Sequence, residues 1–349
     1  MLSSVKWIKL LVYFAVLLQV PPCDSEAIEY ERYDGWFNNL ANPSWGTVGS
    51  PLSRVSPPVY EDGVYQPSGS TRPNPLLLSS TLMSSDDVTR SRKSFRNSSV
   101  MMVFFAQHVA HDIVDTSRPG CPPEYMNIHV PKGKHDKYDY KYIPFTRSNY
   151  HSDSGKSPNT PRQQINEATP WLDGGAIYGT SKSWTDSLRS LKDGKLSASK
   201  MGDWPDENSM GLPMSNPAIP STHEVRDAKR LLKLGNHRGN ENPFLLSVGI
   251  LWFRYHNKMA EEIQKEHPDW NDDTIFNEAR KWVIATYQHI VFYEWLPAFL
   301  SPRYTKESLQ KDHPYKRYKN SVHPGVSHMF QSAAMRFAET MVPSYIVKK

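Results

Sequence analysis

Cysteine is nearly absent from this 349-residue chain, which has two, Cys23 and Cys121. Two thiols cannot build the disulfide framework of a small secreted scaffold. Long runs of one charge are missing too: 41 basic and 36 acidic residues are interspersed, and a net charge of +5 leaves no electrostatic footprint for nucleic acid. Beyond Leu18 no apolar run is long enough to cross a bilayer. Strand-like alternation is scarce and no internal repeat occurs, so the expected class is mainly α. What remains, 38% hydrophobic and 22% charged residues, is a globular composition.

The first residues differ from the rest. Lys6 and Lys9 precede the apolar run Leu10 to Leu18, the length of a secretory h-region. Residues 1–27 are therefore expected to be a signal peptide removed before Tyr30; an uncleaved anchor is the alternative, and either one exports the chain. Asn97-Ser98-Ser99 is the one glycosylation sequon. With Cys23 in or near the leader, Cys121 is left as a single exported thiol. It is either a buried inert group or a candidate for an interchain or interdomain disulfide.

Residues 31–75 read as an irregular arm rich in Pro, Gly and Asn, pinned by Trp36, Phe37, Trp45, Tyr60 and Tyr65. Further long Pro/Gly-rich loops cover Gly120 to Pro161 and Gly202 to Pro220. Leu245, Val248, Trp252, Tyr255, Met259 and Ile263 mark a helix stopped by Pro268. Asp272 or Asp273 is expected to cap the next one, whose stripe Ala279, Trp282, Val283, Thr286, Ile290 and Tyr293 ends at Pro297. A last helix is predicted over Val326 to Met341.

The segment FFAQHVAHDIVD, Phe104 to Asp115, carries the most chemistry. Met101, Phe104, Phe105, His108, Val109 and Asp112 recur at three- and four-residue steps, which predicts a helix. Gln107 and His111 then share one face, with Asp112 about a quarter-turn away. His108, His111 and Asp112 stand at i, i+3 and i+4 and admit a zinc or iron site, a metal hydrolase among the readings. Two core-edge histidines satisfied by backbone account for the same spacing. ATPWLDGGAIYG, Ala168 to Gly179, offers Thr169, backbone carbonyls and Asp173 at alternating positions, as a hard cation requires. GNHRGNENPF, Gly235 to Phe244, places Arg238 and Glu241 before a long helix, where a plain surface ion pair is the competing reading. His256 and Asn257 read as structural.

In this order, these segments resemble the animal haem peroxidase family from about Tyr30 to Val342. RYDGWFNNL, DGVYQP, PGCP, ILWFRYHN, HPDW and ARKWVIATYQHIVFYEWLP look most like the peroxidase-like ectodomain of dual oxidases. The resemblance implies a mainly α, peroxidase-like helical domain over 28–349, incomplete at its C-terminus. Gln107, His111 and Arg238 match the distal glutamine, distal histidine and catalytic arginine. Asp112, Thr169, the carbonyl of Trp171, and Asp173 match calcium ligands. Glu241 matches the haem-ester carboxylate, and Arg336 falls among the haem-contacting residues. The implied function is that of an extracellular oxidoreductase domain in hydrogen peroxide production or use, with haem and calcium as cofactors. FAD and NADPH would belong to an oxidase part outside these residues, and a maturation factor is the further implied partner. The implied place is the outer face of the plasma membrane, reached through the secretory pathway; the residues alone would be secreted.

Three departures qualify this. Ala110 stands where the family has a second ester-forming aspartate, and Gly175 where a serine completes the calcium loop. In RFAETMV, Arg336 to Val342, Glu339 replaces the histidine that ligates iron, and a hard carboxylate is a poor substitute for imidazole. His328 lies roughly 16 Å away along a helix axis and cannot take over. The alternative function is thus a non-catalytic, haem-poor ectodomain that matures and regulates the oxidase part.

Overall fold

The computed structural model describes residues 30–69, 71–82, 94, 96–130, 141–219, 222, 224–300 and 318–343. Residues 1–29, where the signal peptide is expected, and 344–349 lie outside the described residues. Helix α1 spans Pro75–Leu82, α2 Met101–Ile113, α3 Gly175–Tyr178, α4 Lys182–Leu188, α5 Pro243–Glu266, α6 Asp272–His289 and α7 Leu296–Leu300. The one two-stranded sheet among the described residues pairs β1, Ile128–His129, antiparallel to β2, Tyr142–Ile143, inside the second long loop. No helix among these residues is long and apolar enough to cross a membrane.

The core forms where α2, α5 and α6 meet. Val109 of α2, Val248, Trp252 and Phe253 of α5, and Phe276, Val283, Ile284 and Tyr287 of α6 are buried together with Ile177 and Tyr178 of α3. Each such side chain contributes about 1.5–3 kcal/mol by leaving water. A second cluster, Ala260 and Ile263 against Ile275 and Ala279, lets the two long helices approach closely through their alanines. Arg280 is buried between the arm and α3, donating 2.6 Å to the Glu31 carbonyl with its guanidinium 4.4 Å from the Tyr33 ring.

The sequence expectations hold for α2 and α5 and need correction elsewhere. Neither Asp272 nor Asp273 caps α6; Asn271 does, accepting 2.9 Å from the Thr274 amide. Asp272 is drawn away by Arg189 and the Gly194 amide, each at 2.6 Å. Pro297 does not end the helix. The chain winds on through a π-helical stretch, Ile290–Trp295, into α7, and its wider turn has already broken the ladder that a proline would disrupt. The last segment is also irregular: Val326 is held extended by Ser53, and winding from His328 passes through a π stretch, Phe330–Ala334, to a 3-10 stretch, Met335–Met341.

The arm is fixed more by backbone than by its aromatics. Gly49 and Leu52 donate to Asn166 and Gln164, and Ser53 donates to Val326. Tyr60 bonds the Arg162 carbonyl at 2.9 Å and Trp45 packs on His323. Trp36, Phe37 and Tyr65 stay 40%, 50% and 41% exposed, so these three do not pin it.

Candidate active-site cavity

A cavity of about 1280 Å³ opens beside α2, larger than the roughly 300–1,000 Å³ usual for a drug-sized ligand. Gln107, Ala110, His111, Arg238, Glu241, Arg336 and Glu339 all line it, so residues from distant parts of the sequence do converge. Most of the remaining wall is apolar, including Phe104, Val291, Trp295, Phe299, Phe330 and Phe337.

The 236–242 turn is joined to α2 through asparagines. Asn236 donates 3.1 Å to the His111 carbonyl and accepts 2.8 Å from the Arg238 amide. Asn242 caps α5, accepting from the Phe244 and Leu245 amides, and its side-chain amide donates 2.9 Å to Gln107. Gln107 in turn donates 3.2 Å to Glu241. Glu241 and Arg238 therefore do not form the surface ion pair that their spacing allowed; each has a different partner. Arg238 Nη2 stands 3.4 Å from the Asp115 carboxylate, off-line for a hydrogen bond.

Burial acts on both central groups. It pushes the His111 imidazole down to about 2, with Arg238 adding to the effect, so the ring is neutral. Burial also lowers Arg238, against the pull of Asp115 and Glu241, although no ordinary pH removes its charge. His111 Nδ1 and Arg238 Nε and Nη2 are buried without hydrogen-bond partners. Unpaired donors and acceptors of this kind cost about 1–3 kcal/mol each, more for a charged group.

Behind this wall, Asp112 meets Asp173. Gly174, at φ +77, turns the chain so that the Ala176 amide donates 2.8 Å to Asp112 Oδ1. Thr169 donates 2.7 Å to Asp173 Oδ1. Asp112 Oδ2 and Asp173 Oδ2 are both buried without a hydrogen-bond partner, and burial followed by the Asp173 charge pushes Asp112 up. Two buried carboxylates with a spare oxygen each and a neighbouring hydroxyl are a donor set suited to a hard divalent cation. A Cβ placed on Gly175 would stand 3.7 Å from Asp173 Oδ1 and 3.8 Å from Asp112 Oδ1, so a larger residue would face both. The Trp171 indole packs against Gly46 and lies 6.4 Å from Tyr318.

The lining from Met335 to Glu339 offers no imidazole to ligate a haem iron. Glu339 there is paired with Arg336 at 2.7 Å and its side chain is 66% exposed. His111 is the one histidine among the described residues lining the cavity. His328 is turned elsewhere, bonded 2.6 Å to Gln164. His108 is buried in the core against Trp252 and Tyr287, away from any second ligand. His256, between Tyr178 and the Gly194 carbonyl, and Asn257, bonded to both backbone groups of Leu196, are structural as expected.

Asp115, Asn166, Asn236 and Asn242 were missed in the sequence. Asn242 followed by Pro243 is a helix-start signature and was there to be found. Asn166, whose side chain bonds Ile113, Asp115 and Ala168, has no local signal. Asn97 is exposed with a positive φ of 53, and Cys121 is exposed and free.

Residues 30–348 match the family described as animal haem peroxidase. Dual oxidase of Drosophila melanogaster is 44% identical over 326 residues, 92% of this chain and 20% of that protein. Dual oxidase 1 of Homo sapiens is 43% identical over 321 residues, 90% of this chain and 20% of that protein. Among solved structures, Peroxidase A from Dictyostelium discoideum has a TM-score of 0.75 at 27% identity, covering 89% of this chain and 60% of that one. A fatty acid alpha-dioxygenase of Oryza sativa shares the fold, with a TM-score of 0.64 at 17% identity over 90% of this chain and 51% of that one. The chain belongs to the animal haem peroxidase family, oxidoreductases of mainly helical fold that generally bind haem.

Proposed function

We propose that residues 28–349 are the peroxidase-like ectodomain of a dual-oxidase-type oxidoreductase, exported through the secretory pathway, glycosylated at Asn97, and poor in haem. One observation supports this: the described residues that line the cavity with His111 include an ion-paired Glu339 and no second imidazole. Asp112, Asp173, Thr169 and the Trp171 carbonyl hold calcium, which ties α2 to the loop before α3. The role of the domain is then to fold onto and mature the peroxide-forming part. That part, with its FAD and NADPH, and a maturation factor that could pair with Cys121, are the proposed partners outside this chain.

Peroxidase turnover is the second reading, favoured by the intact pair of His111 and Arg238. A neutral imidazole can take a proton from hydrogen peroxide and return it, and a guanidinium stabilises the anionic charge. The test is a haemin titration of the secreted full chain. The proposal expects no stoichiometric Soret band in the wild type and a gain of one in Glu339→His. A wild-type band together with peroxide turnover lost in His111→Ala would refute it.

A further inference from the structure

One face of α6 is turned toward the loop that carries Asp173. A Cβ on Gly174 would stand 3.4 Å from Ile284, and Gln288 donates 3.1 Å to the Leu172 carbonyl. Leu172 has a φ of 54, a left-handed conformation that a branched side chain rarely adopts, so the turn needs such an anchor. Tyr287 shares this face at the helical spacing of Ile284 and Gln288, and it is completely buried.

Tyr287 is also wedged against α2. Its ring meets His108 edge-on at 5.6 Å, one helical turn before Asp112, and Phe105 edge-on at 6.4 Å. The hydroxyl acts on the Asp112 carboxyl alongside the Ala176 and Gly174 amides. Yet Tyr287 Oη and Asp112 Oδ2 are both buried without a closed hydrogen bond, whereas Asp112 Oδ1 is taken by Ala176. A phenylalanine would fill the same core space without an unpaired hydroxyl, so packing does not account for this oxygen.

We infer that Tyr287 is a positioning residue for the Asp112 carboxylate: its hydroxyl donates to Oδ2 and fixes the plane in which that carboxylate meets a hard divalent cation. Each carboxylate oxygen has two lone pairs, so Oδ2 can accept from Tyr287 and still face the ion. With Gln288 on the Leu172 turn, α6 orients the segments of both carboxylates at once. Orientation counts for more here because Gly175 supplies no side-chain oxygen. The inference rests on the proposed calcium site of Asp112 and Asp173.

The secreted full chain is stripped with EGTA, and its calcium affinity is read by competition with a chelating dye, beside its Tm in EGTA. Tyr287→Phe is expected to weaken calcium binding about 10- to 100-fold, as loss of an outer hydrogen bond to a metal ligand does, with no fall of Tm in EGTA. Tyr255→Phe is the control: its hydroxyl lies 3.1 Å from that of Thr286 and joins α5 to α6, so it reports any general loosening of the helix. That variant should bind calcium as the wild type does. Equal calcium affinity in Tyr287→Phe and the wild type, or an equal loss in Tyr255→Phe, overturns the inference. A Tyr287→Phe chain already less stable in EGTA shows a plain packing role and overturns it as well. A wild type that takes up no calcium overturns the proposed cation site itself.

Discussion

Replacing Asp112 by asparagine should separate a cation site from an ordinary buried polar pair. Without a cation, burial and Asp173 raise the Asp112 carboxyl well above its ordinary value, so near neutral pH the wild-type group keeps its proton. Asparagine is then one neutral group for another; its oxygen can still accept from Ala176, and its amide can donate toward Asp173. In chelator the variant should match the wild type to within about 1 kcal/mol. In calcium the outcomes should diverge. A ligand at one hundred times its dissociation constant stabilises by about 2.7 kcal/mol, which for a chain of this size raises Tm by roughly 4 °C. The wild type should show that rise and Asp112→Asn should not, read by differential scanning fluorimetry with calcium and with EGTA. An equal loss of stability in both buffers, or a wild type indifferent to calcium, would refute the reasoning.

Two other perturbations address the frame of the site. Asn242→Ala removes the cap of α5 and frees Gln107 at once; a loss of about 0.5–2 kcal/mol in urea unfolding is expected, and no loss would show that Pro243 alone sets the helix start. Glu124 sits between Arg162 and Arg147; burial raises its carboxyl, and the two guanidiniums outweigh this, leaving it below its ordinary value. Its folded value being depressed, the stabilisation is fully present above the unfolded value near 4.5 and is lost as pH falls through the folded one. Glu124→Gln should therefore cost about 1–3 kcal/mol at pH 7 and flatten the acid limb of the stability profile below about pH 4.5; a parallel limb in the variant would dismiss the linkage.

Much of the helical frame was legible because it is local. The stripe through Leu245, Val248 and Trp252 reports a buried face, and the structure buries Leu245, Val248 and Trp252. The misreadings share a different cause. Asp272 is as good a cap by composition as Asn271, and Arg189 and the Gly194 amide, about 80 positions earlier, take it out of contention. Pro297 is a helix breaker by propensity, yet the π stretch before it removes the bond it would have broken. At the site, the sequence supplied Gln107, His111, Arg238 and Glu241 through family likeness, and all four line one cavity. What no likeness or periodicity gave was the wiring among them. Whether Glu241 faces Arg238 or Gln107 depends on where Asn242 places the turn.

Asn166 has a further consequence for how the molecule is assembled. This one residue joins the Gly49–Ser50 backbone, the end of α2 at Ile113 and Asp115, and Ala168, segments separated by more than a hundred positions at the extremes. Such closures are entropically expensive and are rewarded only after local elements exist. The α5–α6 hairpin, joined by a short connection, can form without them. The loop carrying Asp173 and the cavity wall should then be the last parts to become ordered and the first to open. In native-state hydrogen exchange the Asp115, Asn166 and Ala168 amides should open through a lower-energy unit than those of the α5–α6 core. A domain whose core is set early and whose pocket closes late leaves that pocket open to capture by a partner before it closes.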